Sequence, residues 1–530
     1  MYQWIVITGG IFSFIAAMGI GANDVANAYA TAVGSRALTM TQAVVLATIF
    51  EAGGAILMGS HVTKTIRKGI ADYECFEDDP GALMYGCMWV CFSVGAWLFI
   101  ASKYEMPVST THSCVGGMIG MTMALKGAKC VNWYEPRDLF PYVGGVSGIV
   151  ISWVVSPVMS AIFATTLFGI IREFILRSQN SFDRTTLLFP VIVGGTVTLN
   201  SYYIIYKGAK GLDLDETPMG VATAWSFGIG GLAALIMLPI APRIKTFVLT
   251  KMERIGREID IDNVESGKTF EVEGQQIPVE TEVQPVGCCD ILVKHVNDNL
   301  KVKLDDVITK DERVTVIHNS AERFEEKTEE YFKYLQVFTA IFDSFSHGAN
   351  DVANAIGPFA AIYMINKDRE VNKESEMGPD TAYGILTMGG IGIGLGLVLY
   401  GYKIMQAIGL KLCKITPSRG SCIELASAIV IITGSRLEIP LSTTHCQIGA
   451  TMGVAALENP RTCAGMNCAV VGKTIAGWVI TLVVVGGSTF LLTAQGARAP
   501  EVGAYCDTDD DIIANATIIA NATRLLLLNN

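Results

Sequence analysis

The sequence predicts an all-α membrane protein of about twelve transmembrane segments, built from two inverted repeats that contain re-entrant helical hairpins. Three observations lead to this fold class. Of the 530 residues, 51% are hydrophobic and 17% are charged, compared with roughly 25% charged in an average soluble domain. Many stretches of about 20 residues are almost free of charge, and that length crosses a bilayer. Finally, two sequence motifs each occur twice along the chain.

The uncharged stretches give the predicted transmembrane segments. In chain order they are residues 4–33, 39–60, 83–102, 107–125, 140–170, 186–206, 219–240, 334–364, 382–402, 421–437, 440–457 and 469–493. The segments at 107–125 and 440–457 are short and begin with proline, so either could be a re-entrant hairpin, although the count treats each as one crossing. Seven segments precede a polar stretch and five follow it.

The polar stretch divides the chain into predicted domains. It has an acidic excess and few hydrophobic residues, which is typical of a solvated loop with some helix. We therefore expect a first membrane half at 1–242, a cytoplasmic acidic loop at 243–332, a second membrane half at 333–495 and a C-terminal tail at 496–530.

Basic residues predict the orientation, because short cytoplasmic loops are enriched in Lys and Arg. Two basic groups fall on the same predicted side, after the fifth and the seventh segment. They are Arg172, Arg177 and Arg184, and Arg243, Lys245 and Lys251. That side should be cytoplasmic, which places both termini on the opposite side. The plasma membrane is the default location, and a vacuolar or other internal membrane would show the same pattern. Glycosylation sequons at Asn515 and Asn521 agree with this orientation, whereas three basic residues in the outer loop 61–82 do not.

The repeated motifs indicate an internal duplication. Residues Gly21–Ala28 return without change as Gly348–Ala355, and the Pro-Val-Ser-Thr-Thr-His of 107–112 returns as Pro-Leu-Ser-Thr-Thr-His at 440–445. Both copies keep their order and nearly the same spacing. Seven predicted crossings separate the two copies, and an odd number makes the repeats inverted, as in many secondary transporters. A miscount by one segment would make them parallel.

The first motif predicts a cation site. Asn23, Asp24 and Asn27 share one helical face, surrounded by small residues. A carboxylate at membrane depth is costly and marks an ion path, and amide and carboxylate oxygens are hard ligands suited to sodium. The second copy supplies the matching set, Asn350, Asp351 and Asn354.

The second motif predicts an anion site. Pro, Ser and Thr favour a helix start, and a helix start inside the membrane presents free N–H groups and the positive end of a dipole to an anion. The motifs lack Arg and Lys, which suits a protein that must release its ligand. The hydroxyls are those of Ser109, Thr110, Thr111, Ser442, Thr443 and Thr444, and Asp24 and Asp351 would complete the set for a protonated oxyanion.

Four further ionisable residues lie in apolar or motif positions. Glu51 and Glu424 sit inside apolar runs, so they are candidates for coupling ion movement to transport. His112 and His445 end the two anion motifs. Either histidine could sense protons, and either could simply pack, so neither is assigned to the site.

Composition narrows the function classes. The net charge of −11 argues against a nucleic-acid partner. The 13 cysteines show no metal-ligand spacing, so buried apolar thiols or loop thiols are expected for most of them. An enzyme acting on phosphate esters would need a nucleophile or metal cluster at membrane depth, and the sequence offers neither. We expect no cofactor beyond co-transported sodium ions.

The two pairs of motifs resemble the signatures of the inorganic phosphate transporter (PiT) family. The runs Ile49–Gly54, Thr65–Ile70 and Ser421–Ala428 also resemble its animal and fungal sodium-coupled members. The resemblance implies symport of phosphate with sodium, twelve segments in inverted repeats, outer termini and a cytoplasmic loop. It also implies that Asp24, Asp351, Glu51 and Glu424 matter for transport, and it is compatible with a homodimer in the lipid bilayer.

Three alternatives stay open at this stage. The cation could be a proton, as in plant and many bacterial relatives of the family. The anion could be sulfate, although a protonated phosphate can donate a hydrogen bond to a site carboxylate and sulfate cannot. A phosphate sensor that does not transport would carry the same motifs.

Overall fold

The computed structural model describes residues 2–138, 142–206, 217–266, 311–373, 375–458 and 465–498. Within these ranges the chain forms sixteen α-helices and one antiparallel pair of two-residue strands. The strands are β1 (Glu135–Pro136) and β2 (Val143–Gly144). The protein is therefore all-α, as predicted.

The first half of the chain contributes nine helices. They are α1 (Gln3–Asn23), α2 (Val25–Gly34), α3 (Met40–Met58), α4 (Ser60–Lys68), α5 (Pro80–Lys103), α6 (Thr110–Leu125), α7 (Gly145–Ile171), α8 (Ser181–Ile205) and α9 (Met219–Ser266). Helix α9 continues well past residue 242, where the sequence predicted the loop to begin. A short π-helical stretch, Arg172–Leu176, extends α7.

The second half contributes seven helices. They are α10 (Glu312–Ser320), α11 (Glu326–Asp368), α12 (Pro379–Tyr400), α13 (Tyr402–Lys411), α14 (Pro417–Arg436), α15 (Thr443–Glu458) and α16 (Cys468–Arg498). The middle of the predicted acidic loop, residues 267–310, and the tail with its sequons lie outside the described residues.

Within the described ranges, eight spans are long and apolar enough to cross a membrane by themselves. They are the continuous α1–α2 span and α3, α5, α7, α8, α9, α12 and α16. The other four predicted segments are also helical, as α6, α11, α14 and α15, but they are shorter or more polar. Most of their residues are buried inside the protein, so these four helices need not be apolar all round. The chain is an integral membrane protein.

The two halves cross at matching pairs of glycines. A Cβ atom on Gly21 would lie 1.8 Å from the carbonyl oxygen of Ile393, where α1 crosses α12. At the second crossing, a Cβ atom on Gly54 would lie 1.9 Å from the carbonyl oxygen of Phe345, where α3 crosses α11. Backbone therefore rests on backbone at both crossings, which only small residues permit.

Each half also contributes one long helix that packs on the hairpin of the other half. Gly449 of α15 packs against the backbone of Pro157 in α7, and Gly116 of α6 packs against Leu482 in α16. The halves are therefore interleaved rather than placed side by side. Helices α8 and α9 pack on each other and lack a counterpart among the described residues of the second half.

Two helical hairpins turn back inside the protein. Hairpin 1 consists of α5, residues 104–109 and α6, and hairpin 2 consists of α14, residues 437–442 and α15. Their tips meet, since the Oγ atoms of Ser109 and Ser442 are 2.8 Å apart. At the tips, Glu105 and Glu438 both adopt positive φ angles, of 54° and 55°. Helical hairpins were predicted, but each is longer than expected, because 107–125 and 440–457 supply only the second arm and the preceding helix supplies the first.

The bases of the hairpins are closed by different chemistry. A disulfide between Cys75 and Cys130 joins the segments that flank hairpin 1. In hairpin 2, Arg419 Nε donates to Glu458 Oε1 at 2.8 Å. Buried or loop thiols are the expectation for most of the cysteines, and Cys75 and Cys130 differ from it by forming a disulfide. Its two cysteines are far apart in sequence but fall in predicted loops on the same side of the membrane. That shared side is the one feature of the sequence that could have indicated the pairing.

Candidate ion and phosphate site

The hairpin tips meet α1, α2 and α11 at one buried polar cluster. Every residue predicted for the cation and anion sites lies in this cluster and is at most 2% exposed. They are Asn23, Asp24, Asn27, Ser109, Thr110, Thr111, Asn350, Asp351, Asn354, Ser442, Thr443 and Thr444. The structure thus brings together the four motif copies that the sequence separates widely.

Asp24 is the single residue between α1 and α2, and its carboxylate binds both hairpins. Thr110 Oγ1 donates to Oδ2 at 2.7 Å, and the Thr110 backbone N–H lies 3.3 Å from the same oxygen. Oδ1 accepts from Thr444 Oγ1 and, at 2.6 Å, from Asn27 Nδ2. The start of α6 is therefore aimed at a carboxylate, which is the favourable charge at a helix N-terminus.

Asp351 repeats this arrangement from the other half. Thr443 Oγ1 donates to Asp351 Oδ2 at 2.7 Å, and Asn354 Nδ2 lies 3.3 Å from Oδ1. Thr110 Oγ1 also lies 3.2 Å from Asp351 Oδ2. A single hydroxyl thus contacts both carboxylates and ties the two half-sites together.

The two carboxylates stand close enough to share a ligand. Ligand atoms of Asp24, Asp351 and His347 all lie within 4.8 Å of one another. Two buried like charges at this distance repel strongly, so a cation between them lowers the energy of the site.

The four amides divide into two roles. Asn23 uses its whole amide on hairpin 1, accepting from Val108 N at 3.0 Å and donating to Met106 O at 3.0 Å. Asn350 contacts Ser435 Oγ of hairpin 2 at 2.9 Å in the matching position. These two residues clamp the hairpins, so their amides are already occupied.

The inner amides keep a free acceptor. In the part of the chain that the structure describes, neither Asn27 Oδ1 nor Asn354 Oδ1 has a hydrogen-bond partner, although both atoms are buried. Buried polar atoms without a partner are rare and costly. Amide oxygens of this kind are ligands for hard cations, and each lies one helical turn from an aspartate.

The hydroxyls of the anion motifs brace the two tips against each other. Thr111 Oγ1 donates to Leu441 O at 2.6 Å, and Thr444 Oγ1 lies 3.2 Å from Val108 O in the symmetric contact. With the Ser109–Ser442 contact, these bonds hold the N-terminal ends of α6 and α15 together. Two such ends concentrate N–H donors and positive dipole ends at one place, the usual setting for a bound oxyanion.

Comparison with known proteins identifies the family. A profile described as the phosphate transporter family matches residues 20–488. This chain belongs to that family. The chain is accordingly a phosphate transporter rather than an enzyme.

Individual relatives agree with the family assignment. The phosphate-repressible phosphate permease pho-4 of Neurospora crassa is 29% identical over 95% of this chain and 99% of its own length. The chloroplastic inorganic phosphate transporter 2-1 of Arabidopsis thaliana is 32% identical over 89% of this chain and 69% of its own. The sodium-dependent phosphate transporter 1 of Mus musculus is 25% identical over 91% and 94%.

A solved structure titled as the sodium-dependent phosphate transporter matches the whole membrane architecture. It has a TM-score of 0.68 and 29% sequence identity, covering 92% of this chain and 98% of that chain. The resemblance to the phosphate transporter family is therefore confirmed in both sequence and fold.

His347 is a site residue of the transporter that the sequence analysis missed. Its Nε2 lies 3.1 Å from Asp351 Oδ2, and its Nδ1 lies 2.8 Å from Glu51 Oε2. The imidazole thus connects Glu51 to the central carboxylates. A signal was available, because His347 directly precedes the second motif, but the first motif is preceded by Ile20, so the duplication did not point to it.

Asp343 was also missed. It lies one turn before His347 on α11, is 2% exposed, and its Oδ1 lacks a hydrogen-bond partner among the described residues. Thr339, Asp343, His347 and Asp351 follow at intervals of four and form one polar stripe along α11. The four-residue period is visible in the sequence, but it begins before the repeated motif that marks Asp351.

The remaining predicted residues lie around the cluster rather than in it. Glu424 accepts from Thr31 Oγ1 at 2.5 Å and from Thr339 Oγ1 at 2.6 Å, so it joins α2, α11 and α14 away from the tips. His112 stacks on Trp153 with ring centroids 3.7 Å apart, and His445 packs on Trp478 at 3.6 Å in the matching position. Both motif histidines therefore pack behind the tips.

Proposed function

We propose that this phosphate transporter is a sodium symporter that works by alternating access. The observation that carries the proposal is the paired half-site, in which two carboxylates within reach of one ligand each stand beside an amide oxygen without a partner. The names of the mouse relative and of the solved structure, both sodium-dependent, support the choice of cation.

Binding order follows from charge. A sodium ion at Asp24 and Asn27, and another at Asp351 and Asn354, would offset the two carboxylates before an anion arrives. Phosphate would then replace the contacts that Ser109, Thr110, Thr111 and their partners Ser442, Thr443 and Thr444 make between the tips. A phosphate that keeps a proton can donate a hydrogen bond to the carboxylate of Asp24 or Asp351. Sulfate carries no such proton, so the site favours phosphate. Glu51, through His347, and Glu424 would couple the ion sites to the surrounding helices.

Alternating access is supported by the inverted repeat. The two hairpins reach the cluster from opposite sides, so withdrawing either tip would open the site to one side only. The glycine crossings provide smooth backbone contacts along which one group of helices can shift against the other.

The expected orientation is also part of the proposal. The Cys75–Cys130 disulfide favours an oxidising compartment on the side that basic residues assign to the outside. That supports a plasma-membrane location with both termini extracellular. A homodimer in the bilayer is compatible with this arrangement and is left to direct measurement.

The test is radiolabelled phosphate uptake into proteoliposomes, with a sodium gradient or a proton gradient imposed separately. Sodium alone should drive uptake, and excess sulfate should not compete. The Asp24→Asn variant should lose coupled uptake because one half-site loses its charge. Asp183→Asn, which removes a carboxylate that is 66% exposed and pairs with Lys245, is the matched control.

Each outcome has a defined meaning. Uptake driven only by protons would leave the assignments of the fold and of the anion unchanged and would make the proton the coupled cation. Full uptake by Asp24→Asn would remove that aspartate from the mechanism. Phosphate binding without uptake under either gradient, by inserted protein, would favour a sensor.

A further inference from the structure

An apolar cavity of about 490 Å³ lies beside hairpin 2. Helix α7, helix α14, the tip of hairpin 2 and Tyr203 at the end of α8 line it. Its walls are almost entirely hydrocarbon, and its volume falls in the range of roughly 300–1,000 Å³ that is typical of ligand pockets. The cavity is separate from the polar cluster, but Leu441 in its wall is the neighbour of Ser442.

The cavity borders the lipid-facing surface of α7. Ile151, Val155 and Met159 line it and are 51%, 49% and 38% exposed, on a helix that spans the membrane. Exposed apolar side chains on such a helix contact lipid rather than water. Water would find few polar partners inside, and a filled cavity is favoured over an empty one by the contacts that an occupant restores.

The contact between hairpin 1 and α16 is equivalent to the contact between hairpin 2 and α7, and it shows which side chain fills the position of the cavity. Pro157 of α7 and Leu482 of α16 occupy equivalent places, against Gly449 and Gly116 of the two hairpins. In that register Ser156 corresponds to Thr481. The hairpin register, set by the repeated Ser-Thr-Thr motif, likewise makes Val430 correspond to Trp97.

These equivalent pairs differ in volume. In the first half, Trp97 bridges hairpin 1 and α16, and its Nε1–H donates to Thr481 Oγ1 at 2.9 Å. Beside hairpin 2, Val430 and Ser156 of α7 stand at those positions and both line the cavity. An indole therefore supports hairpin 1 where hairpin 2 has only a valine and an open space.

We propose that an acyl chain of a membrane phospholipid occupies this cavity and supports hairpin 2 as Trp97 supports hairpin 1. The apolar walls and lipid-facing rim select hydrocarbon, and the chain would enter sideways from the bilayer. Because the occupant touches Leu441, it would bear on the tip that carries the Ser442–Thr444 hydroxyls.

The test uses the full-length protein in vesicles of phosphatidylcholine that carries a photoactivatable diazirine on one acyl chain. After irradiation, mass spectrometry should find labelled peptides from residues 151–163 and 429–441. Val430→Trp, which copies the first half, should reduce that labelling at least fivefold. Labelling of the lipid-facing Leu235 region on α9 should stay unchanged, and Val430→Ile is the matched control for a small change of volume.

The converse variant covers the case in which Val430→Trp does not fold. Trp97→Val should open a matching space, so that label appears around Thr481. Equal labelling of wild type and Val430→Trp in 151–163 and 429–441 would overturn the proposal. So would labelling there by a sterol probe and not by phosphatidylcholine, which would assign the cavity to a sterol. Labelling needs no transport, so the result is independent of the sodium-symport proposal.

Discussion

Hairpin 1 and hairpin 2 make equivalent contacts at their tips but are closed by different interactions at their bases. At the tips, Thr110 and Thr443 each bind an aspartate at 2.7 Å, and the remaining hydroxyls make symmetric contacts. At the bases, hairpin 1 is closed by the Cys75–Cys130 disulfide and hairpin 2 by the Arg419–Glu458 ion pair. The two copies therefore agree in the side chains that face the proposed ligand site and differ in the interaction that closes the base of the hairpin.

The ion pair of hairpin 2 belongs to a larger network. Glu322, in the segment between α10 and α11, lies 2.7 Å from Arg172 Nη2 and 2.9 Å from Arg177 Nε. Its backbone N–H donates to Glu458, and its carbonyl oxygen accepts from Arg419. The network therefore joins hairpin 2 to the C-terminal end of α7 through ion pairs and hydrogen bonds.

Each kind of closure fits the compartment proposed for its side of the membrane. Disulfides persist in oxidising surroundings and are rare in the cytosol, where ion pairs hold regardless of redox state. The difference between the two bases thus reflects the surroundings of each hairpin, whereas the matching tips reflect a shared task.

The largest expected effect concerns the base of hairpin 2. Arg419→Met should lower the free energy of unfolding by about 3–5 kcal/mol, because it leaves the nearly buried Glu458 carboxylate without its partner. Combining it with Glu458→Leu should restore most of the loss. Thermal unfolding in detergent measures both variants, with Lys411→Met, which breaks the more exposed pair with Glu105, as the control. An unstable double variant would mean that the charges themselves, and not their pairing, are needed.

Removing the closure of hairpin 1 should cost somewhat less. Cys130→Ser should lower the free energy of unfolding by about 2–4 kcal/mol, because the unfolded chain loses a cross-link. A reductant should lower the melting temperature of the wild type and leave that of the variant unchanged. On intact cells, an impermeant maleimide should label these cysteines only after treatment with an impermeant reductant. Labelling that requires permeabilised cells would place hairpin 1 on the cytoplasmic side.

The tips should respond alike. Thr110→Val and Thr443→Val each remove a hydrogen bond to a carboxylate, worth about 1.5–3 kcal/mol, so initial uptake should fall roughly 10- to 100-fold in each variant. Thr110→Val should be the more severe, because this hydroxyl also lies 3.2 Å from Asp351. Thr166→Val, on the lipid-facing side of α7, is the control. A strong loss in only one of the two would break the functional match between the tips.

The smallest expected effect is a pH dependence of the stability that the Glu322 network contributes. Burial alone would raise the pKa of the Glu322 carboxyl, but hydrogen bonds from Arg177 and Arg172 outweigh it and hold the pKa below its ordinary value. The stabilisation is therefore complete above the ordinary glutamate pKa and is lost as the pH falls through the lowered one.

Glu322→Gln measures this contribution. Because the side chain is 30% exposed, the wild type should exceed the variant by only about 0.5–1 kcal/mol at pH 7. The difference in melting temperature should shrink as the pH falls below 4 and as salt is added. A difference that stays constant with pH would assign the effect of Glu322 to packing.

Sequence reasoning found the parts of this transporter that are encoded locally. Charge-free stretches gave the spans, and the duplicated motifs gave Asp24, Asp351 and the tip hydroxyls, since each signal lies within a few consecutive residues. His347 and Asp343 occur in only one copy, so the duplication concealed them. The contacts of Glu51 with His347, and of Cys75 with Cys130, join residues distant in sequence, and only the folded chain brings such residues together.

The interleaving of the halves has a consequence for how the protein is made. Hairpin 1 is complete when synthesis reaches Leu125, but the helix that packs on it, α16, begins only at Cys468. At about 5–20 residues per second, hairpin 1 waits roughly 20–70 s for its partner. Hairpin 2 does not wait for its partner, because α7 is synthesised before hairpin 2. Cys75 is translated before that interval and Cys130 at its start, so the hairpin that is made long before its partner is the one whose ends can be joined covalently in the meantime.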